Sequence, residues 1–313
     1  MEVSKQPYLP SKSWKKHGLN IDICEINRTF KHKKRKLTDI ILEDSLIEGE
    51  KYGVCVKKGK YRKQMEDAYN VVLDLHNTSL KHAFALFDGH SGTDASVFAS
   101  KNLIQNISST DENGITQAFK LTDYIYCMSN PKQGGTTVAL GILDRTHLLT
   151  ANIGDTKIIL VKENSYKILS YDHVASDLEE QNRIEMAGGF VIRHGNIMRV
   201  NGNLAITRSI GDFKYKSCIS STPYIRDTKL DIDDIALVIA SDGLFETLTP
   251  EQVSESVRDK KFHKPSEIAE TLAMEAIETG SRDNVSVIVV NVKEYYTLAC
   301  SQTDRNKKKT FEF

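Results

Sequence analysis

Between about residues 50 and 293 the chain alternates short apolar runs with amphipathic stretches, and the two kinds carry different periods. The runs Tyr52–Val56, Ala68–Leu75, His82–Phe87, Thr136–Leu143, His147–Ile153, Lys157–Val161, Ile235–Ala240 and Val285–Val292 are rich in β-branched and aromatic residues and bounded by Gly, Asp or Asn. They predict strands. Residues 83–87, 136–143 and 235–240 are apolar at nearly every position, as strands buried on both faces are. The Leu143–His147 stretch reads as a short hairpin turn, which forces antiparallel neighbours. Together these predict a sheet covered on one side by another sheet and on the other by helices. Tyr52–Val56 is expected to pair with the last strand.

Helix signals fall between the strands. Ser176-Asp177-Leu178-Glu179 has the form of a capping box opening a helix to Met186, stopped by Gly188-Gly189. Thr249-Pro250-Glu251-Gln252 sets Thr at N-cap, Pro at N1 and Gln at N3. Over 266–277, Ile268, Ala269, Leu272 and Ala276 share one face before Gly280 ends the helix. Residues 91–107 and 114–128 also read as helical.

Composition narrows the class without deciding it. A chain of 313 residues accommodates one large domain or two small ones. Lys+Arg and Asp+Glu both total 42, so no global field favours nucleic acid or an anionic membrane. Cys24, Cys55, Cys127, Cys218 and Cys300 are scattered with no CxxC pair, which points away from zinc and disulfide frameworks and toward a reducing compartment. No apolar run reaches the ~18 residues a membrane span needs. Residues 1–49 read as a solvated, partly disordered arm with basic runs at 15–17 and 32–36, the second also a weak nuclear-import pattern. Residues 295–313 read as a tail. The expected setting is the cytoplasm, the nucleus or both, and the expected state is a monomer.

The candidate chemistry lies in acidic clusters beside predicted strands: Met65-Glu66-Asp67, Asp88-Gly89-His90, Ser241-Asp242-Gly243 and Arg282-Asp283-Asn284. Carboxylates gathered at one place repel by roughly 4 kcal/mol per pair at 4 Å and an effective dielectric near 20. Bound cations make such a gathering tolerable, and oxygen-only ligation selects Mg²⁺ or Mn²⁺ over Zn²⁺. Taken singly the motifs are weak. Arg62 alone reads as a solvated charge, His90 as a helix-entry residue, and Asp155 as the cap of a strand turn. Gly134-Gly135-Thr136-Thr137 lacks the P-loop lysine and reads as a close backbone approach. His173 and His194 have no metal-spaced partners.

In register, however, the blocks Arg62-Lys63-Gln64-Met65-Glu66-Asp67, Asp88-Gly89-His90, Gly154-Asp155-Thr156, Arg183–Gly189, Thr207-Arg208-Ser209-Ile210-Gly211-Asp212, Ala240-Ser241-Asp242-Gly243 and Ser281-Arg282-Asp283-Asn284 resemble the metal-dependent Ser/Thr protein phosphatases of the PPM (type 2C) family over about residues 50–293. The resemblance implies an α+β fold, a four-layer α-β-β-α sandwich of two packed antiparallel sheets flanked by helices, over a phosphatase domain at 50–294. It implies phosphoprotein substrates and two Mg²⁺ or Mn²⁺ ions. Asp88 matches the carboxylate bridging both ions, and Gly89 a carbonyl ligand of one. Asp242 and Asp283 match ligands of the other, Glu66 an acid acting largely through water, and Asp155 an acid of a looser third site. Arg62 matches the phosphate clamp and His90 the general acid. The sequence departs from the family in Val174-Ala175, where relatives carry Lys-Pro, and in Thr156, where they often carry Ser; neither removes a ligand. Residues 189–234 match the family's variable flap, whose Arg193, Arg199, Arg208 and Lys214 the sequence does not rank.

Overall fold

A computed structural model describes residues 43–78, 80–129 and 134–310, with side chains to 301. The basic runs at 15–17 and 32–36, and with them the import reading, lie outside the described residues. In chain order the strands are β1 (Ser45–Glu48), β2 (Tyr52–Lys57), β3 (Ala68–Val72), β4 (Lys81–Phe87), β5 (Gly89–His90), β6 (Gly135–Thr136), β7 (Val138–Asp144), β8 (His147–Ile153), β9 (Lys157–Lys162), β10 (Tyr166–Ile168), β11 (Val191–His194), β12 (Ile197–Val200), β13 (Ile210–Gly211), β14 (Tyr224–Lys229), β15 (Asp234–Ala240) and β16 (Val285–Asn291). The helices are α1 (Asp94–Asn102), α2 (Glu112–Ser129), α3 (Leu178–Met186), α4 (Asp242–Phe245), α5 (Pro250–Asp259), α6 (Pro265–Thr279) and α7 (Val292–Thr310).

Two antiparallel sheets form the centre, one ordered β1-β2-β16-β15-β9-β10 and the other β14-β8-β7-β4-β3. Their strands are apolar throughout because each serves two cores. Val54, Val56, Ile158, Leu160, Leu237, Ile239, Ile288 and Val290 meet Phe84, Leu86, Ala139, Leu143 and Leu148 between the sheets. The alternate residues Cys55, Ile159, Val161, Val238, Val287 and Val289 point outward onto Val253, Val257, Ile268, Ala269, Leu272 and Ala276 of α5 and α6. This is the period of two written into adjacent positions. On the far side α1 packs against β3 and β4, and α2 against α1. The four-layer α-β-β-α arrangement is the one the sequence predicted.

The hairpin joining β7 and β8 and the pairing of β2 with β16 also match expectation. Thr249 forms the full capping box, with its hydroxyl accepting from Gln252 N and the Gln252 side chain accepting from Thr249 N. Other details differ. The cap of α3 is Asp177, which accepts from Glu180 N, so Ser176 is one residue too early. Strand β14, which pairs with β8 along its whole length, was not expected. Its Tyr-Ile-Arg-Asp-Thr-Lys sequence is two-thirds polar and mostly solvent-facing, as an edge strand is. Strand β1 falls in the stretch assigned to the arm, and α7 in the stretch assigned to the tail. Tyr295 of α7 sits 6.4 Å, ring to ring, from Phe84, so this helix begins as part of the core.

Candidate active site

The acidic motifs converge because each ends or begins a central strand at the same edge of the sandwich. Asp88 follows β4, whose Phe87 pairs with Ala68, the residue after Glu66-Asp67. Asp242 opens α4 directly after β15, and Asp283 stands two residues before β16; Ala240 pairs with Val287. Asp155 lies in the tight turn from β8 to β9. Residues as much as 217 apart in sequence are thereby brought together by ladder register alone.

Backbone and small polar side chains hold these loops. Asn284 accepts from Glu66 N at 2.9 Å and donates to the carbonyls of Lys58 and Gln64 at 2.9 and 3.1 Å, stapling the Arg62–Asp67 segment to the β16 entry. Ser286 Oγ donates to the buried Asp67 carboxylate at 2.6 Å. Thr137 N donates to the Asp88 carbonyl at 2.9 Å. Gly243 admits no side chain, since a Cβ there would lie 2.0 Å from the Asn284 carbonyl oxygen. That close approach seats Asp242 beside Asp283.

The electrostatics register the crowding. Withdrawal from water, then Asp242, Asp67, Asp155 and Asp283, hold the Asp88 carboxyl well above the carboxylate range. Burial first, and Asp155 and Asp283 after it, push Asp242 up to about 8 even though it shares a hydrogen bond with Asp88. Asp67 is pushed to about 7 and Asp155 to about 6, burial being the main cause in both. The Asp242 Oδ1 oxygen is buried with no hydrogen-bond partner.

Arg62 and Glu66 complete this wall. Arg62 Nη2 pairs with Asp283 Oδ2, and its Nη1 is 3.9 Å from Glu66 Oε2. Glu66 Oε1 accepts from Gly92 N at 2.6 Å. Among the described residues no group of three or more His, Cys, Asp or Glu side chains is arranged to hold a metal ion unaided. The donors nevertheless fit a hard divalent cation: they are all oxygen, mutually repelling, and include one buried oxygen without a partner.

The predicted acid His90 has a partner the sequence reading did not assign. Its Nε2 lies 2.8 and 3.0 Å from the two oxygens of Asp212. Burial works against a charged imidazole here, but the hydrogen bond to Asp212 and its charge outweigh it and raise the His90 pKa. Asp212 shows the complement: burial opposes ionisation, His90 and Ser209 favour it, and the net shift is downward. Gly135 leaves room for the pair, because a Cβ there would lie 2.3 Å from Asp212 Oδ2 and 2.9 Å from His90 Nε2. The tight approach expected at Gly134-Gly135 is therefore real. Asp212 closes the Thr207–Asp212 block, and Asn284 and Ser286 adjoin the Asp283 block; the sequence displayed them without revealing what they face.

Two other assignments are resolved. His173 is fully buried, with Nδ1 3.3 Å from the Gly154 carbonyl, and burial lowers its pKa to about 3, so it is a neutral brace for the Asp155 turn. Of the flap cations, Arg208 is committed to the interior, its Nη2 bonding Glu180 at 2.6 Å beside Arg183.

Comparison with known proteins agrees with this geometry. A family model described as Protein phosphatase 2C matches residues 52–285. Probable protein phosphatase 2C 17 of Arabidopsis thaliana is 34% identical over 78% of this chain and 90% of its own length. Protein phosphatase 2C homolog 1 of Saccharomyces cerevisiae is 32% identical over 75% of this chain and 90% of its own. The crystal structure of serine-threonine phosphatase 2C from Toxoplasma gondii shares the fold, with a TM-score of 0.69, 18% identity, and coverage of 82% of this chain and 99% of that one. By sequence and by fold, this chain belongs to the protein phosphatase 2C family of metal-dependent protein serine/threonine phosphatases.

Proposed function

We propose that the chain hydrolyses phosphoserine and phosphothreonine in proteins by direct, in-line attack of a water-derived nucleophile, with two Mg²⁺ or Mn²⁺ ions and no covalent intermediate. The observation that carries this reading is the gathering of Asp88, Asp242, Asp283, Asp67 and Asp155 at one edge, with the Asp88 and Asp242 carboxyls pushed far above their ordinary range. Asp88, the Gly89 carbonyl, Asp242 and Asp283 would hold the two ions. Glu66 would act through water, and Asp155 would serve a looser third ion. When bound, such ions acidify water toward hydroxide and draw charge from the phosphoryl oxygens.

The protein's own groups do the rest. Arg62 is a fork suited to two phosphate oxygens, and it must leave Asp283 to grip them, so cation binding at Asp283 and phosphate binding at Arg62 favour each other. Asp212 accepts from His90 Nε2, which fixes the ring and leaves Nδ1 as the nitrogen carrying the transferable proton. Protonation of a serine or threonine alkoxide as it leaves contributes ~10²–10⁴-fold. We place the enzyme in the cytoplasm or nucleus, acting as a monomer.

Turnover of a phosphothreonine peptide by the full-length protein, measured in Mn²⁺ and in chelator, tests the reading together with calorimetric Mn²⁺ stoichiometry. Turnover in Mn²⁺ that chelator abolishes, with at least two ions per chain, supports it. Chelator-insensitive turnover, no turnover in Mn²⁺, or a single bound ion refutes it.

A further inference from the structure

We propose that a buried ion pair remote from substrate, Asp123 with Lys216, is a positioning device that keeps Asp212 against His90. This rests on the reading of His90 as the acid for the leaving group. Asp123 is on α2, and Lys216 follows the short 3₁₀ turn Phe213–Tyr215. Lys216 Nζ lies 2.9 Å from Asp123 Oδ1, with side chains only 8% and 2% exposed.

Stability alone does not account for such a pair. Two charges taken from water cost about as much as their attraction returns, and well-packed apolar residues often serve as well or better. What apolar residues lack is a grip on backbone. Lys216 Nζ donates to the Ser209 carbonyl at 2.8 Å, and Gly211 N donates to Asp123 Oδ1 at 2.8 Å. The pair therefore holds the chain on both sides of Ile210, immediately before Asp212.

That stretch needs holding. Gly211 and Asp212 are consecutive residues with positive φ, +94° and +51°. For the aspartate this is a conformation that persists only when its surroundings over-determine it. Asp212 N donates to the Gly134 carbonyl at 2.8 Å, and Ser209 Oγ donates to Asp212 Oδ2 at 2.6 Å. The carboxylate is thus held directly by Ser209, while the backbone that carries it is held by Gly134 on one side and by Asp123 and Lys216 on the other. A displacement of about 1 Å at a reacting group can cost ~10²-fold in rate.

The test uses the full-length Mn²⁺-loaded enzyme carrying both Asp123→Leu and Lys216→Met, which removes the charges and keeps the volume. Its kcat is measured on a phosphothreonine peptide, whose alkoxide needs a proton to leave, and on p-nitrophenyl phosphate, whose phenolate does not. The expected result is a fall of at least about 30-fold on the peptide with KM little changed, against less than about threefold on the aryl ester. The His90 Nε2 proton resonance, recorded on the diamagnetic Mg²⁺-loaded enzyme and needing no turnover, should shift toward that of an imidazole without a carboxylate partner. Equal falls on both substrates, no fall on either, or an unmoved His90 resonance overturns the inference. His90→Gln separates it from the reading beneath it. If that variant shows no difference between substrates, the acid role and this inference fail together; if it shows one and the pair variant does not, only this inference fails. If the double variant does not fold, Asp123→Asn with Lys216→Met, of near-native shape, is judged by the same criteria.

Discussion

Replacing Asp242 by asparagine should stabilise the metal-free protein, and the gain should grow with pH. The Asp242 carboxyl titrates at about 8, against an ordinary 3.8, because it is buried and faces Asp155 and Asp283. A folded-state value raised in this way favours the folded state below the ordinary value, and that advantage is lost as pH rises through the folded one. Each unit between the two removes about 1.4 kcal/mol. From about pH 5 to about pH 7.5 the parent should lose up to roughly 3 kcal/mol that the asparagine variant keeps, the proton shared with Asp88 making this a ceiling. For a chain of this size that is roughly 5–10 °C in Tm. The assay is thermal unfolding followed by circular dichroism at both pH values, first in chelator and then in Mn²⁺. In Mn²⁺ the order should invert, since a cation offsets the repulsion in the parent and finds one anionic ligand fewer in the variant. A gap in chelator that does not widen with pH, or a variant less stable than the parent at about pH 7.5, would refute the electrostatic account of the cluster.

Three further outcomes are expected. Arg62→Ala should raise KM for a phosphopeptide about tenfold or more with a smaller change in kcat; an unchanged KM removes the clamp. Glu180→Gln should cost up to about 3 kcal/mol in urea unfolding, because it leaves the partly buried Arg183 and Arg208 beside a neutral amide. These arginines hold the Glu180 carboxyl below its ordinary 4.5 against the effect of burial, so the parent's advantage should be present above that value and vanish in acid; a pH-independent difference contradicts it. Gly243→Ala should weaken Mn²⁺ binding at least about tenfold, since its Cβ cannot coexist with the Asn284 carbonyl; unaltered affinity in a folded variant would show that this approach does not set the Asp242–Asp283 geometry.

What the sequence determined by itself is local or periodic. Residues such as Val287, Ile288, Val289 and Val290 are apolar in succession, and so short a β-branched run suits a strand with a core on each side. The layers and the ligand candidates at strand ends were therefore legible, as was the capping box at Thr249. Edge strand β14 was not, because it is mostly solvent-facing and its last four residues are polar in succession, so it lacks the alternation that marks a strand with one buried face. The start of α7 was hidden for a related reason: Val292, Tyr295 and Tyr296 join the core from a helix whose later residues are mostly polar. At the site, sequence supplied the residue types and the tertiary structure chose their partners. Asp212 meets His90 across 122 positions, Lys216 meets Asp123 across 93, and Arg62 meets Asp283 across 221. Such pairings leave no periodic trace, because hydrogen bonds and charges act over a few ångströms and the distance between two residues is fixed only when the sheets register and close.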